Sequence, residues 1–132
     1  MKKSCGVLLK CCGKYLLAHS TGHGRMGFGI PKGMQDAGET DKETALRELF
    51  EETNIKLAEA DLSEKPFISY RAKSGKAIVV FSAEISDVPD NMFCSTLIPN
   101  SGRPEVDSYL WATKDEALDL LINHMKAIFE TL

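Results

Sequence analysis

At 132 residues the chain has the length of one ordinary domain, and a composition 43% hydrophobic and 27% charged excludes both a disordered chain and a low-complexity tract. A net charge of −3 excludes nucleic-acid binding driven by a basic surface, and it means that a polyphosphate ligand needs locally gathered positive charge. Apolar runs such as Ala77 to Phe81 are too short to cross a bilayer, and Met1-Lys2-Lys3 leads into no signal-peptide core, so one domain over residues 1–132 in the cytoplasm, with no membrane partner, is expected.

Ser4 to Lys10 and Tyr15 to Ser20 are apolar-rich segments around Cys12-Gly13-Lys14 and predict an antiparallel hairpin. Cys5, Cys11, Cys12 and Cys94 read as reduced structural thiols. The adjacent pair lacks C-x-x-C spacing, and on a strand its side chains point to opposite faces. Thr21 to Gly27, with three glycines, predicts a loop able to move over a ligand, followed by a brief strand at Phe28 to Ile30.

Thr40 and Glu43 form a capping box that opens a helix, for which Ala45, Leu46, Leu49, Phe50 and Thr53 supply the inward face and Asn54 the left-handed stop. Pro66 to Arg71 and Lys76 to Ile85 read as a second hairpin around Ser74-Gly75. Asp87 to Pro104 looks irregular, with Met92, Phe93, Leu97 and Ile98 tucking it down, and Val106 to Trp111 is the last strand, with Trp111 in the core. Thr113 and Glu116 cap a final helix, along which Ala117, Leu118, Leu121, Met125, Ile128 and Phe129 recur at helical spacing to the C-terminus. Two helices with a mixed sheet make the fold class α/β (α+β). No repeat, linker or DNA-binding domain divides the chain.

The chemistry gathers on the first helix. At about 100° per residue, Glu48, Glu51 and Glu52 share a sector of roughly 100° opposite the apolar side. Glu48 and Glu52, one turn apart, repel each other by a few tenths of a kcal/mol when both are ionised and unpaired. Arg47 is placed to pair with Glu43 one turn earlier and to steady a neighbouring carboxylate. A solvated acidic face intersperses signs, whereas three glutamates beside a glycine-rich loop are the hard oxygen donors that Mg²⁺ or Mn²⁺ takes.

Gly33, five residues, Glu39, seven residues, then Arg47-Glu48-Leu49-Phe50-Glu51-Glu52-Thr53-Asn54-Ile55 resembles the Nudix box, G-x5-E-x7-R-E-U-x-E-E-x-G-U, over residues 33–55. Every charged position matches. Asn54 replaces the usual glycine, an exchange that a left-handed turn tolerates. The resemblance implies a Nudix fold, a mixed sheet sandwiched between helices, and metal-assisted hydrolysis of nucleoside diphosphates linked to another moiety. It implies that Glu48, Glu51 and Glu52, with the backbone carbonyl of Lys32, hold Mg²⁺ or Mn²⁺, and that Gly33, Glu39 and Arg47 support the site. Arg103 to Trp111 is similar to the segment that supplies a further carboxylate in RNA 5′ pyrophosphohydrolases and diadenosine polyphosphate hydrolases of this family, which makes Glu105 a candidate ligand or general base.

For the substrate, Pro31-Lys32-Gly33 is similar to the tripeptide of enzymes acting on dinucleoside polyphosphates, and Tyr70 lies near a tyrosine of diadenosine polyphosphate hydrolases. Lys32, Tyr70, Lys76 and Arg25 are therefore the expected substrate contacts, with Arg71 and Lys73 as auxiliaries. A dinucleoside polyphosphate of the diadenosine tetraphosphate type is the favoured small-molecule partner. The alternatives are a triphosphorylated RNA 5′ end, an oxidised nucleoside triphosphate, and a nucleotide sensor that has lost catalysis, which the retained box acids disfavour. His19, His23 and His124 are scattered and carry no motif.

Overall fold

The structure, a computed structural model, describes residues 2–25, 27–121 and 125–132. Its centre is β1 (Lys3–Cys11), which runs parallel to β6 (Ala77–Ile85) in unbroken register from Lys3 with Ala77 to Cys11 with Ile85. A strand covered on both faces must be apolar at successive positions, and Cys5 to Leu9 meets that demand: Cys5, Val7 and Leu9 face one core, and Leu8 faces the other. β1 turns into β2 (Lys14–Ser20) through Cys12 (φ 55°) and Gly13 (φ 80°), the pair of positive φ angles that a two-residue hairpin turn requires.

That turn corrects the expectation for the adjacent cysteines. The left-handed backbone at Cys12 swings its Sγ to 3.5 Å from Cys11 Sγ, where an extended strand would have separated them. β2 stays with β1 only at the turn, then diverges to pair with β7 (Val106–Ala112) and, at Ala18 and His19, with β3 (Phe28–Gly29). The first half of β1 is thereby left to β4 (Lys32–Met34), a short antiparallel strand that was not expected with Pro31 just before it and Gly33 within it. β5 (Ile68–Arg71) closes the far edge against β6.

Among the described residues, the mixed sheet carries one α-helix on one face and two on the other. α1 (Asp41–Thr53) buries Thr44, Ala45, Leu49 and Thr53 against β1 and β6. Phe50, assigned to its inward face, is instead 44% exposed, because the α1 surface that meets the sheet is centred on Ala45 and Leu49. The opposite core holds Leu17, Ile78, Val80, Leu121, Ile128 and Phe129.

The expected single C-terminal helix is two. α2 (Lys114–Leu120) stops where Leu121 turns extended (φ −70°, ψ 147°) and bridges to Phe28, and α3 (Lys126–Glu130) begins afresh. Helical spacing continues across Leu121 because both helices bury the same face, so periodicity alone does not register the break. His124 lies outside the described residues.

Between β6 and β7, Met92 packs on the first core, but Phe93 (51%) and Leu97 (57%) stay exposed, contrary to expectation. The segment earns its place through the backbone. Phe93 N–H donates to Thr53 O (3.3 Å), Ser95 N–H to Glu51 O (2.8 Å), and Tyr109 Oη to Glu52 O (2.5 Å). Carbonyls left open at the end of α1 thus find donors from outside the helix, which fixes its last turn, where Glu51 and Glu52 sit. Among the described residues, no helix is long and apolar enough to cross a membrane.

Candidate active site

Two glycines set the distance between α1, β4 and β1. A Cβ on Gly6 would stand 2.5 Å from both Lys32 Cβ and Pro31 O, so glycine is what lets β4 lie against β1. A Cβ on Gly33 would overlap the carboxylate of Glu48, so glycine is also what opens the notch that this carboxylate fills. The side chain of Glu48 is only 13% exposed as a result.

Around the notch Arg47 collects acids. Its Nε donates to Glu39 Oε2 (2.7 Å), its Nη1 to Glu48 Oε1 (3.0 Å) and Glu51 Oε1 (3.2 Å), and its Nη2 to the carbonyl of Met34 (2.9 Å) and to Glu39 Oε1 (3.1 Å). Asp36 adds an ion pair at 3.4 Å. The expected partner Glu43 is absent from this set, because its carboxylate already accepts the Thr40 N–H of the capping box at 2.8 Å. Glu39 also accepts from Thr44 Oγ1 (3.0 Å) and from the Asp36 N–H (2.9 Å), so that these donors, Arg47 first, hold its carboxyl down at about 2. Sequence reasoning missed Asp36 and Thr44. A threonine inside an otherwise apolar helix face was the available signal for the latter.

The three box glutamates do not behave alike. Glu48 and Glu51 are both drawn toward Arg47, whereas Glu52 lies against Glu48 and away from Arg47. Burial, and then the negative charge of Glu48, push the Glu52 carboxyl up to about 9, and burial raises Glu48 as well. Two half-buried carboxyls side by side are stabilised by a proton or a cation between them. Among the described residues, no three His, Cys, Asp or Glu side chains converge on one point that could hold a metal ion. The donor set nevertheless fits a hard dication. It offers two facing carboxylates in a preformed notch, with carboxylate oxygen rather than sulfur or imidazole as the donor.

Lys32, Glu52 and Glu105 line one cavity of about 190 Å³, with Ala18, Ser20, Gly29, Ile30, Val106 and Met125 forming its remaining wall. Desolvation, and then the charge of Lys76, lower the pKa of the Lys32 ammonium, while Glu52 and Glu48 oppose that shift. Glu105 is exposed, but its backbone is held from both sides. Its N–H donates to Thr96 O and its C=O accepts from Thr21 N–H, each at 3.0 Å.

The other expected contacts scatter. Lys76 borders a second, open cavity beside Met34, and Arg25 is exposed in the glycine-rich loop. Tyr70 packs against the second core; among the described residues, its Oη is the one buried side-chain oxygen or nitrogen without a hydrogen-bond partner, and burial raises its pKa. Arg71 donates to Gly75 O at 2.8 Å at the hairpin tip, and Lys73 is exposed nearby. His19 has acceptors at both ring nitrogens, Asp107 at Nδ1 (2.6 Å) and the Gly24 carbonyl at Nε2, and these bonds raise its pKa, the Gly24 bond first.

The asymmetrical bis(5′-nucleosyl)-tetraphosphatase of Rattus norvegicus is 35% identical over 104 residues, which are 76% of this chain and 65% of that protein, so the chain spans less than two thirds of this curated relative. Among solved structures, a C. elegans Ap4A hydrolase binary complex superposes with a TM-score of 0.73 at 20% identity, covering 97% of this chain and 93% of that one. The E. coli dihydroneopterin triphosphate pyrophosphohydrolase gives 0.74 at 15% identity over 98% and 93%. At such identities the structures speak for the fold alone. The family model for the NUDIX domain matches residues 4–132, nearly the whole chain, and with the glutamate helix, the Gly33 notch and the mixed sheet this makes the chain a member of the NUDIX family.

Proposed function

We propose that this chain is a divalent-metal-dependent pyrophosphohydrolase, and that its substrate is a dinucleoside polyphosphate of the diadenosine tetraphosphate type. The observation that carries the reading is the meeting of Lys32, Glu52 and Glu105 on one cavity, with the half-buried Glu48 facing Glu52. The name of the rat relative supports the substrate class.

Glu48 and Glu52 are the residues that would hold Mg²⁺ or Mn²⁺, with the Lys32 carbonyl and Glu51 as further donors. A bound dication supplies charge neutralisation along the phosphate chain and a Lewis acid that makes water acidic at neutral pH. The Lys32 ammonium meets a phosphate oxygen on the cavity side, where partial desolvation strengthens the contact. Gly33 keeps the Glu48 carboxylate in its notch, and Arg47 with Glu39 keeps the β4–α1 connection rigid. Glu105 stands at the rim with no ion pair among the described residues, free to take the proton of the attacking water as the new P–O bond forms and the bridging P–O bond breaks. A cytoplasmic location is consistent with such a substrate.

A substrate panel with Mg²⁺, containing diadenosine tetraphosphate, ADP-ribose, a nucleoside triphosphate and a 5′-triphosphorylated RNA, tests the reading. Diadenosine tetraphosphate is expected to be the preferred substrate, and Glu52→Gln to lower kcat on the order of 10²- to 10⁴-fold. Indifference to dinucleoside polyphosphates would overturn the substrate, and undiminished turnover by Glu52→Gln would overturn the site.

A further inference from the structure

A second cavity of about 500 Å³ opens between β4 and the tip of the β5–β6 hairpin, lined by Lys2, Met34, Ser74, Gly75 and Lys76. It is larger than the cavity at the carboxylates, and among the described residues no acidic side chain lines it. Its position follows from strand geometry. Lys32 and Met34 stand two apart on β4 and share a face, so the groove begins about 7 Å along the strand from Lys32. Lys76 lies on the same path, close enough for its charge to act on the Lys32 ammonium.

Lys2 is held there by its backbone, whose carbonyl accepts the Ala77 N–H at 3.0 Å. The neighbouring Lys3 is tied to Asp41 at 3.1 Å, but among the described residues neither Lys2 nor Lys76 forms an ion pair. Three lysines, Lys32, Lys76 and Lys2, are thus strung out from the carboxylates, none of them in an ion pair among the described residues, on a chain whose net charge is −3. Gathered like charges repel one another unless an anion lies among them.

We propose that this groove is an anion subsite that holds the far end of an extended polyphosphate ligand, with Lys76 and Lys2 taking phosphates beyond the bond cleaved at the carboxylates, so that Lys2 selects for chain length. The inference rests on the reading of the site as a polyphosphate hydrolase. A short diphosphate derivative ends near Lys32 and leaves the groove empty. A longer chain continues along it, past the exposed Met34 side chain.

Lys2→Glu tests the assignment, with Lys14→Glu at the opposite end of β1 as the control for a general change of surface charge. Two measurements are made: KM for diadenosine tetraphosphate and pentaphosphate relative to ADP-ribose, and calorimetric titration of inorganic tetraphosphate at low salt. Lys2→Glu is expected to raise the ratio of long-chain to short-chain KM about 5- to 10-fold, and to weaken tetraphosphate binding by a similar factor, as befits a solvent-accessible charge contact. Lys14→Glu should do neither. An equal KM shift for long and short substrates, or none, would overturn the subsite. Should dinucleoside polyphosphates fail as substrates, the hydrolase reading falls but the titration still decides: tetraphosphate binding that Lys2→Glu weakens supports the groove, and unchanged binding sinks it.

Discussion

Gly33 shows what one missing methyl group does. The atoms that a Cβ there would strike are the carboxylate end of Glu48, which a small rotation can move away, so Gly33→Ala should change stability by less than about 1 kcal/mol. The same rotation takes the carboxylate off its place, and a displacement of about 1 Å at a reacting centre costs about 10²-fold in rate. Gly33→Ala is therefore expected to retain its melting temperature to within a few degrees while losing activity by about two orders of magnitude, which a thermal melt and a turnover assay on the same sample will check. At this scale the charged residues of the box were legible as types and spacings. Their division of labour was not, because Glu48, Glu51 and Glu52 look alike in sequence. That Glu48 and Glu51 meet Arg47, while Glu52 does not, depends on what β4 and β7 place around them.

At the scale of elements, Glu39 joins the β4–α1 connection to the helix by accepting from Asp36, Thr44 and Arg47. Its folded pKa of about 2 lies below the ordinary value of 4.5, so the unfolded chain binds the proton more readily. The resulting stabilisation is complete above about pH 5, and it is lost as the pH falls through 4.5 toward 2. Glu39→Gln should therefore lower the urea midpoint most at neutral pH, and the difference from wild type should shrink steadily toward pH 3 and below. A difference independent of pH would mean that the carboxylate's charge contributes nothing. The caps of α1 were readable because a capping box is local, and Asn54 does adopt φ 65° as its place at the helix end requires. β4 and the break at Leu121 were not. A three-residue strand exists only because the diverging hairpin leaves the edge of β1 open, and Leu121 leaves the helix to bridge Phe28.

For the whole molecule, the cavity at the carboxylates is built from β2, β3, β4, α1, the entry to β7 and Met125, so its donors converge only in the folded state. A dication held there binds the native chain and not the unfolded one, and stabilises it by about 2.7 kcal/mol at a concentration one hundred times its dissociation constant. Mg²⁺ should accordingly raise the melting temperature by several degrees over Na⁺ at equal ionic strength. The shift should vanish in Glu48→Gln and in Glu52→Gln, and a shift that survives both would place the cation elsewhere. The glutamate helix, its caps and the charged spacing by which residues 33–55 resemble the NUDIX box were legible in the sequence alone, because periodicity, capping and spacing act within some twenty residues of chain. The tertiary structure alone decided that Glu51 goes to Arg47 while Glu52 lies against Glu48, that Cys11 and Cys12 meet, that Glu105 shares a cavity with Lys32, and that Lys2 and Lys76 border a second cavity beside Met34. Each of these depends on the distance between residues remote in sequence, which packing sets and no local pattern encodes.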